Sequence, residues 1–246
     1  MDGQTNAGNA GKENKKAFRQ ISIVAFIVLV IFAVRHFSHQ YYMDQIDKAS
    51  AGLHADKVET RLAAVEALRE IGELEAKVAL LTALKDKNSD VRVQAAAALY
   101  GWKDERALAA LLVTIKDKDD DVRNAAASSL VIFARADTSA SEVTGQQKES
   151  ASSALEEAFQ AKDYPAIAGA VNYFIEKGED GTESRLISAL KACGTKGMAE
   201  VYLNCGNAEL MAAAEQWAEK HNYMIQTWQG NQPIAVGATW GSGRSK

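Results

Sequence analysis

Thr60-Arg61-Leu62-Ala63-Ala64-Val65-Glu66-Ala67-Leu68, Val91-Arg92-Val93-Gln94-Ala95-Ala96-Ala97-Ala98-Leu99 and Val122-Arg123-Asn124-Ala125-Ala126-Ala127-Ser128-Ser129-Leu130 are three versions of one segment. Laid over one another they put Arg under Arg and Leu under Leu at a period of 31 residues. A period of that length, with no alternating strand pattern inside it, holds two short helices and two turns, which is the mark of a helical solenoid. The spacing therefore predicts an all-α chain organised around residues 59–134.

Within each unit the apolar positions say how the two helices are used. Ala64, Leu68 and Ile71 recur as Ala95, Leu99 and Trp102 and as Ala126, Leu130 and Phe133, one face of a first helix. After a break at Gly72-Glu73 or at Gly101 to Asp104, a second helix carries Ala76, Leu80, Leu81 and Leu84, echoed by Ala107, Leu111, Leu112 and Ile115. One hairpin cannot bury both stripes, whereas stacked hairpins can.

Asp90-Val91-Arg92 with Ala95-Ala96 and Ala98-Leu99, repeated as Asp121-Val122-Arg123 with Ala125-Ala126 and Leu130, resembles the short HEAT-like repeat of the phycobilin-lyase type. The resemblance implies a HEAT-like α-α superhelix in which Asp90 and Asp121 cap first helices and Arg92 and Arg123 bond towards a neighbouring repeat. The first unit departs from the pattern, with Glu59 where Asp is expected. The resemblance also implies that second helices line the concave surface. Outward positions there are Val78, Thr82, Ala109 and Val113, a mildly apolar groove suited to a peptide or helix of a partner protein.

Composition narrows the function classes. With 47% apolar residues and two prolines in 246, the chain suits a helical protein. A net charge of −4, with Lys and Arg interspersed among Asp and Glu, argues against a nucleic-acid partner. Two cysteines build neither a disulfide framework nor a zinc site.

Residues 1–16 are Gly, Asn, Gln and Thr with scattered charge and are expected to be disordered. Ile21 to Val34 is a charge-free run. Extended to residues 17–37 it reaches about 31 Å, which predicts one transmembrane signal-anchor helix with Arg19 and Arg35 snorkelling. Lys12, Lys15, Lys16 and Arg19 precede the run, so the positive-inside bias predicts a single-pass membrane protein with a cytoplasmic amino terminus and a periplasmic or otherwise extracytoplasmic repeat domain. Met43, Ile46, Ala49 and Leu53 then form a capping helix, so that the HEAT-like repeats with their cap cover residues 41–136.

Beyond residue 134 the period is lost. Residues 137–150 read as a flexible loop and 151–225 as divergent helical repeats, with Pro165 in a first turn, Gly178 and Gly194 past helix ends, and Asn207 as an N-cap. Residues 166–223 resemble the carboxy-terminal portion of uncharacterised bacterial repeat proteins. The tail, 226–246, carries Trp228 and Trp240, which either dock into a partner or pack back on the array.

No catalytic constellation, cofactor motif or metal motif stands out. Asp117, Asp119 and Asp121 alternate like the start of a calcium loop, but Val122 stands where its glycine belongs and Ser128 where its bidentate Glu belongs. His36 and His39 lack a third ligand, and Cys193 and Cys205 are expected to be free, buried thiols. The resulting expectation is a non-enzymatic, cofactor-free, membrane-anchored scaffold that binds another protein, as an accessory subunit of a membrane complex. The alternatives are a chromophore (bilin) lyase-like protein or subunit, and a structural spacer of the envelope.

Overall fold

The computed structural model describes residues 5–137, 139, 142–224, 228–229, 232–233 and 240–242, except for the side chains of 5–25, 228–229 and 232–233. The chain divides into two units, Met1–Ala49 and Ser50–Lys246.

The first unit is made by α1 (Thr5–Gly52), one continuous helix of 48 residues. It corrects two expectations. Residues 5–16 are helical, not a disordered tail, because the helix behind them continues through Gly8 and Gly11 without a proline to end it. Nor does α1 provide a transmembrane anchor at 17–37: among the described residues no helix is long and apolar enough to cross a membrane. The charge-free run holds 14 residues, about 21 Å against a hydrocarbon core of about 30 Å. Its described side chains, from Phe26, number nine before Arg35. The single-pass placement, with a cytoplasmic amino terminus and an extracytoplasmic repeat domain, falls with the anchor.

The second unit is a stack of helical hairpins. Its helices are α2 (Val58–Ile71), α3 (Leu74–Ala83), α4 (Ser89–Ala98), α5 (Glu105–Thr114), α6 (Asp120–Ala134) and α7 (Gly145–Gln160). They continue with α8 (Tyr164–Gly169), α9 (Val171–Lys177), α10 (Glu183–Cys193), α11 (Lys196–Asn204) and α12 (Ala208–Lys220). A two-residue antiparallel pair, β1 (Trp228–Gln229) with β2 (Gln232–Pro233), follows. First helices pack in a row, α2 on α4, α4 on α6 and α6 on α8, and the row continues through α10 to α12.

The residues that recur at the period form the core. Leu68, Leu99 and Leu130 are buried, as are Leu80 and Leu111 on the second helices. Each such side chain contributes roughly 1.5–3 kcal/mol relative to exposure. Ala64, Ala95 and Ala126, also buried, let the first helices approach closely, and Ser129 on α6 donates to the Ala96 carbonyl of α4 at 2.8 Å. Gly72, at φ +67, ends α2 in the left-handed conformation that a side chain adopts at a cost, and its N–H bonds the Leu68 carbonyl.

Three arginines tie the loops of successive hairpins together. Arg61 holds Asp86 with two parallel bonds of 2.7 and 2.9 Å, and its third nitrogen donates to the Ala55 and Asp56 carbonyls. Arg92 holds Asp117 at 2.9 and 2.8 Å and donates to the Asp86 carbonyl at 2.8 Å. Arg123 binds Asp163 at 2.8 Å, Asp120 at 2.6 Å and the Asp117 carbonyl at 3.0 Å. The first unit thus keeps its arginine pair although Glu59 replaces the expected Asp. The capping role moves, however: Asn88 accepts from the Val91 N–H, and Asp119 accepts from the N–H groups of Asp121 and Val122. Asp90 and Asp121 lie inside the first turn, where they favour the helix dipole without capping it.

The described part of the expected 137–150 loop ends at Thr144. Thr144 and Gln147 form a reciprocal capping box that starts α7 at Gly145, so residues 145–150 are helical. α7 is therefore the second helix of the third hairpin, separated from α6 by a longer connection than its predecessors.

Removing one rung should be costly because Asp117 would be left without its cation. Arg92→Ala is expected to lower stability by about 2–4 kcal/mol and Arg92→Lys to recover only part of it, since an ammonium does not supply two parallel donors; urea unfolding checks both. Burial raises the carboxyls of Asp86 and Asp117. Their arginine partners, with the N–H groups of Asn88 and Asp119, outweigh it and hold both below the usual carboxylate range. A carboxyl depressed by folding stabilises above its unfolded pKa, near 3.9, and this stabilisation disappears as pH falls through the folded value. The urea midpoint should accordingly drop below about pH 4, and the drop should be shallower in an Asp86→Asn, Asp117→Asn double variant. At the α6–α8 contact, a Cβ on Gly169 would overlap the Asn124 carbonyl oxygen and come within 2.9 Å of its carbon. Gly169→Ala should cost about 1–3 kcal/mol in the same assay.

Candidate functional site

The outward face of α3 and α5 follows from where their inward faces are spent. Ala76, Leu80 and Ala83 on α3, and Ala107, Leu111 and Thr114 on α5, are buried. The residues between them, Val78 and Thr82 on α3 and Ala109 and Val113 on α5, are all exposed. Val78 is 39% and Val113 75% exposed. Leu74, one turn before Val78, is 49% exposed and extends the same row. It is a member of the face missed in the sequence, although its four-residue step to Val78 is a sufficient signal.

Ala109 also lines a groove between α5 and α7. Its volume is about 390 Å³, and its walls are Glu105, Leu108, Ala109 and Leu112 on one side and Thr144, Gln146, Gln147 and Ser150 on the other. The second wall comes from residues that the sequence placed in a flexible loop. Leu108 is buried at the base while Gln146 is exposed at the rim, so the groove has an apolar floor and a hydrogen-bonding edge.

Two other depressions are structural in character. One of about 290 Å³ lies beside Asp117, Arg123 and Asp163 and is bridged by an exposed Lys116–Glu157 pair at 3.0 Å. The other, about 530 Å³, is walled by Ala134, Arg135, Lys148, Ser152, Tyr173, Glu176, Lys177 and Ser242. Its cations are engaged: Arg135 with Glu176, Lys148 with the Ala136 carbonyl, Lys177 with Glu156 and Glu179. Burial lowers the Lys177 pKa, but the bonds from Glu156 and Glu179 overcome it and hold the ammonium above its ordinary value.

The acidic tract at 117–121 is spent on folding, since Asp117 receives Arg92, Asp119 caps α6 and Asp120 receives Arg123. Among the described residues no cluster of three metal-ligating side chains forms. Cys193 is half-buried and Cys205 buried, and both are free. Burial pushes both thiols up, and each donates to a carbonyl one turn back, Ala189 at 3.3 Å and Tyr202 at 3.0 Å. The buried Tyr202 hydroxyl donates to the Leu186 carbonyl at 2.8 Å, with burial raising its pKa well above normal.

The side chain of Trp228 lies outside the described residues. Trp240 is half-buried, and its main-chain N–H donates to the Cys205 carbonyl at 2.8 Å, so this part of the tail packs on its own array.

Similarity to known proteins bears first on the repeats. HEAT repeats match residues 46–131 and, overlapping them, 79–173. None of the curated proteins matches the chain. Among solved structures, human deoxyhypusine hydroxylase in complex with glycerol is similar at 12% identity and a TM-score of 0.35, covering 75% of this chain and 98% of its own. An engineered protein is similar at 17% identity and a TM-score of 0.34, covering 74% and 98% respectively. With both matched regions running over more than half of its length, the chain belongs to the HEAT-repeat family.

Proposed function

We propose that this HEAT-repeat protein is a scaffold whose second-helix face binds a helix or peptide of another protein. The observation that carries the reading is the exposed outward face of α3 and α5, where Val78 matches Ala109 and Thr82 matches Val113 in successive repeats, Leu74 lies one turn before Val78, and Ala109 lines the 390 Å³ groove. An amphipathic helix presents apolar groups at the same three- and four-residue steps, and the polar edge at Gln146 and Ser150 can hydrogen-bond an approaching backbone. The protein acts by binding and not by catalysis. The displaced carboxyls of Asp86 and Asp117 and the Arg123 guanidinium serve ion pairs, and burial raises the Cys193 and Cys205 thiols away from the reactive thiolate form.

Val78 and Val113 are exposed enough for substitution to leave stability within about 0.5 kcal/mol. A photo-crosslinker at Val113 in cells is therefore expected to give one reproducible protein adduct. It should vanish in a Val78→Glu variant and be missing when the crosslinker sits at Ala97, which is exposed on the first helix α4. Equal adducts from both positions, or an adduct indifferent to Val78→Glu with folding retained by circular dichroism, would discard the groove reading.

A further inference from the structure

At the other end of the array a short piece of the chain, residues 240–241, packs against the ends of two helices. The Trp240 N–H donates to the Cys205 carbonyl, at the end of α11, and the next N–H, that of Gly241, donates to the Ile175 carbonyl in the last turn of α9, both at 2.8 Å. The two carbonyls belong to different hairpins, so consecutive residues of one strand bridge them.

The fit has no room for a side chain at Gly178. Gly178 ends α9 at φ +54, and a Cβ placed on it would overlap the Gly241 nitrogen and lie 2.5 Å from the Gly241 Cα. Gly241 itself is at φ +69, a conformation that a β-branched residue does not tolerate. At Gly72, the equivalent left-handed cap of α2, the nearest atom to a built Cβ is 3.9 Å away. The conformation alone therefore accounts for glycine at 72, whereas at 178 the approach of another backbone demands it. The next residue, Ser242, lines the 530 Å³ cavity with Tyr173, Lys177 and Arg135.

We propose that the slot between the ends of α9 and α11 is a peptide-docking site for a Trp-Gly turn segment, and that residues 240–241 occupy it as an intramolecular plug. The slot reads main chain through two carbonyls and favours glycine at the second position through its positive φ. It is held shut by backbone bonds, which a competing segment of the same chemistry can replace one for one. This site is separate from the α3–α5 face, and the two stand or fall independently.

The test uses the full chain and two variants that act on opposite partners. Gly178→Asn keeps a residue type tolerant of positive φ but adds the clashing Cβ, spoiling the slot. Gly241→Val expels the plug and leaves the slot intact. Gly72→Asn serves as the control for a left-handed cap without a clash. Hydrogen exchange by NMR should show the Trp240 and Gly241 amides protected in the parent and in Gly72→Asn, and unprotected in Gly178→Asn. A labelled peptide of residues 237–244 should bind Gly241→Val about tenfold or more tighter than the parent, whose slot is mostly filled, and should fail to bind Gly178→Asn. Unchanged amide exchange in Gly178→Asn, or no preference of the peptide for Gly241→Val over the parent, would overturn the proposal.

Discussion

The arginine ladder is the constraint that the stack depends on, because each node serves two repeats at once. The Asp86 loop receives Arg61 on its carboxylate and Arg92 on its carbonyl, and the Asp117 loop receives Arg92 and Arg123 in the same way. A guanidinium supplies this pattern because its donors form a rigid fork: Nε and one terminal nitrogen grip a carboxylate edge while the other terminal nitrogen points elsewhere. Placing both ends of a hairpin on one planar group fixes how far successive hairpins rotate. The nearly buried charges contribute less to net stability than to this geometry, since desolvation offsets much of the attraction.

The ladder also explains how the array survives an irregular third unit. Arg61 and Arg92 find their carboxylates 25 residues downstream, whereas Arg123 reaches 40 residues, to Asp163. The extra chain lengthens α6 to 15 residues and supplies a longer connection before α7. α8 nevertheless docks on α6, with Gly169 pressed against the Asn124 backbone and the Asn124 amide donating to the Pro165 carbonyl at 3.0 Å. Past this point the Arg–Asp pairing does not recur among the described residues, and the α10–α11 hairpin is instead pinned internally by the Tyr202 hydroxyl donating to the Leu186 carbonyl.

Much of the fold was legible because the repeat states the same solution three times. The leucines, the alanine faces, the breaks at Gly72 and at 101–104, and the cap at Asn207 all stand where the pattern puts them. The errors have definite causes. A fixed-period alignment cannot see that Asp163 is the counterpart of Asp117 once extra residues intervene. Thr144 and Gln147 do carry a capping-box signature, but Ser, Thr and Gln around them read as a loop by composition. The cap role given to Asp90 and Asp121 came from the family pattern and sits two residues too late, because Asn88 and Asp119 have the extended backbone that a cap needs. The anchor expected at 17–37 came from stretching a charge-free run of 14 residues past Arg19 and Arg35, and among the described residues no helix is long and apolar enough to cross a membrane. Of the candidate face, Val78, Thr82, Ala109 and Val113 were readable from the period. The α7 wall was not, and neither was the docking of Trp240, since main-chain bonds leave no mark on residue type except at Gly178 and Gly241.

What the fold needs and what it leaves free can then be separated residue by residue. The ladder occupies the loops, and the leucines and alanines occupy the inward faces, so the exposed side chains of Val78, Thr82 and Val113 are not spent on the core. At such positions a helix is best served by Ala, Lys, Glu or Arg, which lose little rotamer freedom, and valine is the poorer choice because its χ1 is restricted by the preceding turn. A single exposed valine would need no explanation. Here Val78 with Ala109, and Thr82 with Val113, are exposed at matching positions of successive repeats, with Leu74 one turn before Val78 and Ala109 on the wall of a groove of 390 Å³. That arrangement costs helix propensity and solvation together and returns nothing to the isolated chain, which is the physical reason for reading it as a surface that another protein covers.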